Sequence, residues 1–98
     1  MPRTNARKDA NHDDIVKFFQ QCGAKVTTLH QLGRGTPDLL VGWRGVNLLV
    51  EVKDGSKPPS KRELTPDETR WHEEWRGQVS IVESREDAQR LLNETGLE

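Results

Sequence analysis

The chain has one cysteine, no tyrosine, two phenylalanines and no long apolar run, and each scarcity removes a class of explanation. Cys22 alone cannot close an intramolecular disulfide. With His12, His30 and His72 far apart in sequence it makes no zinc-binding spacing, so metal held through sulfur is excluded. No stretch approaches the roughly 18 apolar residues of a membrane span. The basic start, Met1 to Lys8, has no apolar region behind it and does not read as a secretory signal. The expectation is a cytoplasmic protein without a membrane partner. Hydrophobic and charged residues each make up 32% of the 98 positions, which suits one domain whose apolar residues are concentrated on a few faces.

The net charge of −1 conceals a gradient. Residues 1–10 carry +2, residues 11–30 balance, residues 31–64 carry +2, and residues 65–98 carry −5. Binding to nucleic acid depends on a local basic surface, so this distribution leaves such a partner open without arguing for one. Function has to be read from a site.

Ile15, Phe18, Phe19 and Cys22 follow the spacing of one helical face, with Asn11 as the expected cap, Asp13 and Asp14 in the first turn, and Gly23 ending the helix. Residues 25–30 are β-branched and read as a strand, and Gly33-Arg34-Gly35-Thr36-Pro37 breaks the periodicity. Two apolar runs, 38–43 and 46–53, flank Arg44-Gly45 and read as a β-hairpin. Their consecutive apolar positions predict a sheet covered on both faces by helices. Residues 54–64, with Gly55, Pro58 and Pro59, read as a mobile basic linker. Thr65-Pro66-Asp67-Glu68 is a strong helix start that puts Trp71 and Trp75 on a buried face, with Gly77 as its end. A strand over 78–82 and a helix from Ser84, with Ala88, Leu91 and Leu92 inward, complete an α-β-β-β-α-β-α order. Residues 1–10 form a basic tail and 11–98 a single domain in this reading.

The hairpin register gathers the charges. With Arg44-Gly45 as the two-residue turn, Trp43 pairs with Val46, and counting outward puts Asp38 opposite Glu51 with Cβ atoms about 5 Å apart. Lys53 projects from the same face as Glu51. Two carboxylates that close raise one pKa strongly unless a cation lies between them. Such a pair suits a divalent ion with oxygen ligands, Mg²⁺ or Mn²⁺. Isolated acids and lysines at strand ends are usually only solvated, but here they end strands that are otherwise apolar. No phosphate-binding glycine loop with its lysine is present, and no Ser or Cys nucleophile stands beside a histidine in a recognisable order.

Gly35-Thr36-Pro37-Asp38-Leu39-Leu40-Val41-Gly42, Val50-Glu51-Val52-Lys53 and Leu64-Thr65-Pro66-Asp67 before a helix resemble the small VRR-NUC domain of the PD-(D/E)XK nuclease superfamily. The resemblance runs from about Asn11 to Leu92. It implies an α/β mixed sheet with the restriction-endonuclease-like core, and a stand-alone form of the kind found in phages and bacteria that is similar to Holliday (four-way) junction resolvases. The compartment it implies is the cytoplasm of a bacterial or phage-infected cell.

By that resemblance Asp38 and Glu51 hold Mg²⁺ or Mn²⁺, with the Val52 carbonyl as a further ligand. Lys53 orients or helps deprotonate the attacking water. Asp14 matches a first-helix acid that supports metal or water binding, and Asn11 lies one turn before it. The implied reaction is phosphodiester hydrolysis by a homodimer on branched DNA, leaving 5′-phosphate and 3′-hydroxyl ends. Arg34 and Gly35 in the glycine loop, with Lys61 and Arg62 in the linker, are the expected DNA contacts; Lys57 reads as a solvated charge. The family usually has Gln where this chain has Glu68, so the capping-box role competes there with a position facing the metal. A flap or duplex nicking nuclease, and a non-catalytic DNA-binding module on the same fold, are the alternatives.

Overall fold

The computed structural model describes residues 8–96, so the basic tail expected over 1–10 lies mostly outside the described residues. Its framework is the hairpin of β2 (Leu39–Trp43) and β3 (Val46–Val52). Arg44 and Gly45 both take positive φ, 50° and 81°, the left-handed pair that a tight two-residue turn between twisted strands requires. Trp43 therefore pairs with Val46 and Leu39 with Val50, the register read from the sequence. The strand β1 (Lys25–Thr28) lies antiparallel to β2, and β4 (Ser80–Val82) runs parallel to β3, giving a four-stranded mixed sheet in the order β1-β2-β3-β4. The β1 strand stops two residues short of His30, where a 3₁₀ turn at His30–Leu32 begins.

Alternation along the strands decides which side holds the core. Leu39, Val41 and Trp43 of β2, Leu48, Val50 and Val52 of β3, and Val82 of β4 point to one face and are buried there. Against them pack Ile15 and Phe19 of α1 (His12–Gln21) and Ala88 and Leu92 of α3 (Arg85–Thr95). Each fully buried large apolar side chain among these contributes about 1.5–3 kcal/mol. Trp43 also donates its indole N–H to the Cys22 carbonyl at 3.1 Å, fastening the end of α1 to the hairpin tip.

The opposite face corrects one expectation. The helix α2 (Pro66–Glu74) covers only the Glu51 end of that side and has no fully buried residue. Leu40 and Ile81 remain 39% and 44% exposed, so among the described residues helices cover one face of the sheet and only part of the other. Consecutive apolar residues misled here because Leu40 and Leu49 pair with each other across the hairpin instead of under a helix. Trp71 is half-buried, Trp75 is exposed, and their rings stack at 4.6 Å. The helix ends at Glu74, before Gly77, with Trp75 extended at its cap. Residues 78 and 79 stay outside β4, but the Gln78 amide pairs with both backbone groups of Leu49, at 2.7 and 2.9 Å, and so stands in for a strand residue.

Residues 54–64 fold into turns with a 3₁₀ segment at Pro59–Lys61. Gly55 N–H bonds to the Glu83 carbonyl at 3.0 Å, and Arg62 reaches the Lys57 carbonyl at 2.7 Å and the Glu83 carboxylate at 3.3 Å. This segment is thereby tied to the end of β4.

Candidate active site

Asp38 stands one residue before β2, at the end of the glycine loop. Its backbone carbonyl accepts the Leu29 N–H, and its Oδ2 accepts the Val52 N–H at 2.8 Å. The carboxylate is thus fixed across the end of the hairpin, beside Glu51. Glu51 itself is only 2% exposed, and its Oε1 has no hydrogen-bond partner among the described residues. Burial, then the adjacent Asp38 charge, with Glu68 adding to it, pushes the Glu51 carboxyl up to about 10. Without a cation, burial and the Asp38 charge therefore both favour the neutral form of Glu51.

Lys53 continues the same face and is also buried. Its Nζ lies 2.7 Å from Glu68 Oε1. Burial pulls the ammonium's pKa down, but the Glu68 hydrogen bond and charge, with Glu51, outweigh it and leave it raised. Burial correspondingly pushes Glu68 up, and Lys53 with the Thr65 N–H brings it below the usual range. Glu68 takes the capping-box role, accepting the Thr65 N–H at 2.9 Å, and with the same oxygen it also pairs with Lys53, a contact the sequence reading did not include.

One turn further along α2, four residues on and so on the same face, His72 brings its Nε2 to 3.8 Å from Glu51 Oε1. Burial lowers its pKa, more than Glu68 raises it. His72 was not among the residues singled out from sequence; its spacing from Glu68 is the signal that would have found it.

Asp14 does not join this group. Arg85 binds it with two hydrogen bonds, one of them 3.0 Å, outside the acid cluster, and that pairing lowers the Asp14 pKa. The acid that feels the charges of Lys53 and Asp38 from this end of the chain is Asp9, whose pKa burial raises. Asn11 makes no side-chain cap; its Nδ2 donates to the Lys53 and Glu83 carbonyls at 3.1 and 3.2 Å and pins α1 to the ends of β3 and β4.

The glycine loop is held against the start of α2. Gly35 has φ +81° and lies so near the Asp67 carbonyl that a Cβ would come within 2.3 Å of its oxygen. Gly35→Ala is therefore expected to cost about 2–4 kcal/mol of stability, from backbone strain and a collision with backbone, measurable by urea denaturation. Arg34, with φ 57° between the two glycines, is exposed, as is Lys61. Arg62 is already engaged by Lys57 and Glu83.

Among the described residues no three His, Cys, Asp or Glu side chains are gathered as a ready ligand set. The donor chemistry nonetheless fits a hard divalent ion: two adjacent carboxylates, one carrying a buried oxygen without a partner. Among the described residues no helix is long and apolar enough to cross a membrane.

No protein-family model and no curated protein matches the chain. A solved structure described as a VRR_NUC domain does, at 34% sequence identity over 83% of this chain and 92% of that one, with a TM-score of 0.61.

Proposed function

Since the chain belongs to the VRR_NUC family, nuclease domains of the PD-(D/E)XK kind, we propose that it is a divalent-metal-dependent endonuclease that hydrolyses DNA phosphodiester bonds. The observation that carries this reading is the acid pair Asp38 and Glu51, with the unpartnered Glu51 oxygen, beside the buried Lys53.

Asp38 and Glu51, with the Val52 carbonyl, would hold Mg²⁺ or Mn²⁺. The ion would supply a hydroxide at neutral pH and neutralise phosphate charge. Lys53, kept protonated by Glu68, acts as a fixed positive charge toward the phosphate and not as a base. Glu68 in turn competes with the phosphate for that charge. Arg34 and Lys61 are the exposed cations that would meet the DNA backbone, whereas Arg62 supports the turn beneath Lys61. With no base-reading element among the described residues, recognition would rest on DNA shape and depend steeply on salt.

The substrate we favour is a four-way junction cut by a homodimer, because two-fold symmetry supplies the two sites that symmetric cutting needs. Exposed Leu40 and Ile81 on the uncovered sheet face support a pairing surface. In a panel of junction, flap, nicked duplex, plain duplex and single strand with Mg²⁺ or Mn²⁺, the junction is expected to be cut fastest. Lys53→Ala should lower that rate about 10²–10³-fold. Faster cutting of flap or duplex would move the assignment to a nicking nuclease, and DNA binding without cutting under either metal would leave a non-catalytic module.

A further inference from the structure

Two buried polar atoms face each other at the centre of the site without partners among the described residues: Glu51 Oε1 and His72 Nε2. They are 3.8 Å apart, too far for a hydrogen bond. Both side chains are enclosed, His72 at 14% exposure and Glu51 at 2%, so bulk water does not satisfy them freely. Leaving two such groups unpaired costs free energy that a folded protein seldom tolerates without a third atom to bridge them.

The separation admits such an atom. Metal–ligand bonds of about 2.1 Å on each side span up to about 4.2 Å, so one cation can reach both atoms without backbone movement. The direction of approach is set by two elements. The β3 strand presents Glu51 and Lys53 on one face, and α2 presents Glu68 and His72 four residues apart on the side that meets them. Glu68 spends its Oε1 on both Lys53 and the Thr65 N–H, whereas His72 brings from α2 a buried nitrogen without a partner among the described residues to within 3.8 Å of Glu51.

We propose that His72 is a nitrogen ligand to the ion held by Asp38 and Glu51, and that it biases the site toward Mn²⁺ and other transition ions over Mg²⁺. This rests on the metal-site reading above and adds to it. Mg²⁺ is served by oxygen donors and retained water, whereas imidazole strengthens binding to first-row transition metals. Two carboxylates and a carbonyl alone would make the site far less discriminating.

The test is isothermal titration of the intact protein with Mn²⁺ alone and Mg²⁺ alone, for the unaltered chain, His72→Gln, His72→Ala and Asp38→Asn. Both His72 variants are expected to bind Mn²⁺ about tenfold or more weakly while Mg²⁺ affinity changes less than about threefold. An unchanged Mn²⁺-to-Mg²⁺ ratio overturns the role of His72. Asp38→Asn separates the two readings: if it weakens both ions while the His72 variants leave the ratio alone, the metal site stands and the histidine ligand fails. If the unaltered chain binds neither ion, both fall. Nitrogen NMR of the unaltered protein with Zn²⁺ guards against misfolded variants. The His72 Nε2 resonance is expected to shift on saturation while those of His12 and His30 do not, and an unmoved His72 resonance is equally fatal to the proposal.

Discussion

Glu51→Gln is expected to stabilise the metal-free protein at neutral pH by about 2–3 kcal/mol, raising its melting temperature by about 10 °C or more. The reason is the proton that the native site holds. In the unfolded chain Glu51 ionises near its ordinary 4.5, whereas in the folded chain burial and the Asp38 charge move it to about 10. Between those values the native state carries a proton that the unfolded state has lost, so stability falls as pH rises, by up to about 1.4 kcal/mol per unit. Glutamine mimics the neutral acid and removes that dependence. His72 works in the opposite sense: its lowered pKa makes its contribution grow with pH up to its ordinary value of 6.5 and level off above it. The comparison therefore belongs between pH 7 and 9.5, using urea denaturation of both proteins. Parallel stability curves for the two across that window would show that Glu51 does not hold the proton.

Asp38→Asn is expected to lower DNA cleavage about 10³-fold or more while leaving the fold intact. Asparagine keeps an oxygen that can accept the Val52 N–H, so the 2.8 Å bond across the end of the hairpin has a replacement acceptor. What it loses is the second negative charge beside Glu51. Two readouts follow from that one change. The nuclease rate should collapse, and Glu51 should ionise more easily because its nearest like charge has gone. Single-turnover cleavage reports the first, and the pH dependence of stability reports the second. A variant that melts early and cuts slowly would instead mark Asp38 as a structural residue whose main task is Val52.

The sequence was most legible where local geometry determines the outcome. Arg44-Gly45 sets the turn, the turn sets the register, and the register brings Asp38 to Glu51 without any knowledge of the remaining elements. The capping box at Thr65 and Glu68 and the Ser84 cap are local in the same way. What escaped depends on partners distant in the chain. Asp14 reads as a dipole-favouring acid or a metal acid from its own neighbourhood, and only the approach of α3, 71 residues later, shows that Arg85 takes it. Asn11 looks like a cap until the ends of β3 and β4 offer it two carbonyls. His72 offers only its four-residue spacing from Glu68 as a signal in sequence, and that spacing acquires meaning when α2 crosses the acid pair. The bare outer face of the sheet was hidden for a similar reason, since an apolar strand reads alike under a helix or open to solvent.

The helix that roofs the acid pair has no fully buried residue, whereas α1 and α3 are each anchored by side chains sunk in the core. Lifting α2 would forfeit the Lys53–Glu68 pair, partly covered tryptophan surface and the Gly35 contact, but none of the apolar packing on the other side of the sheet. Its opening free energy is then a fraction of that for unfolding the whole molecule. The acid pair thus lies between a floor anchored in the core and a roof held by a few polar and partly exposed contacts, so the two sides of the site differ in how firmly they are fixed.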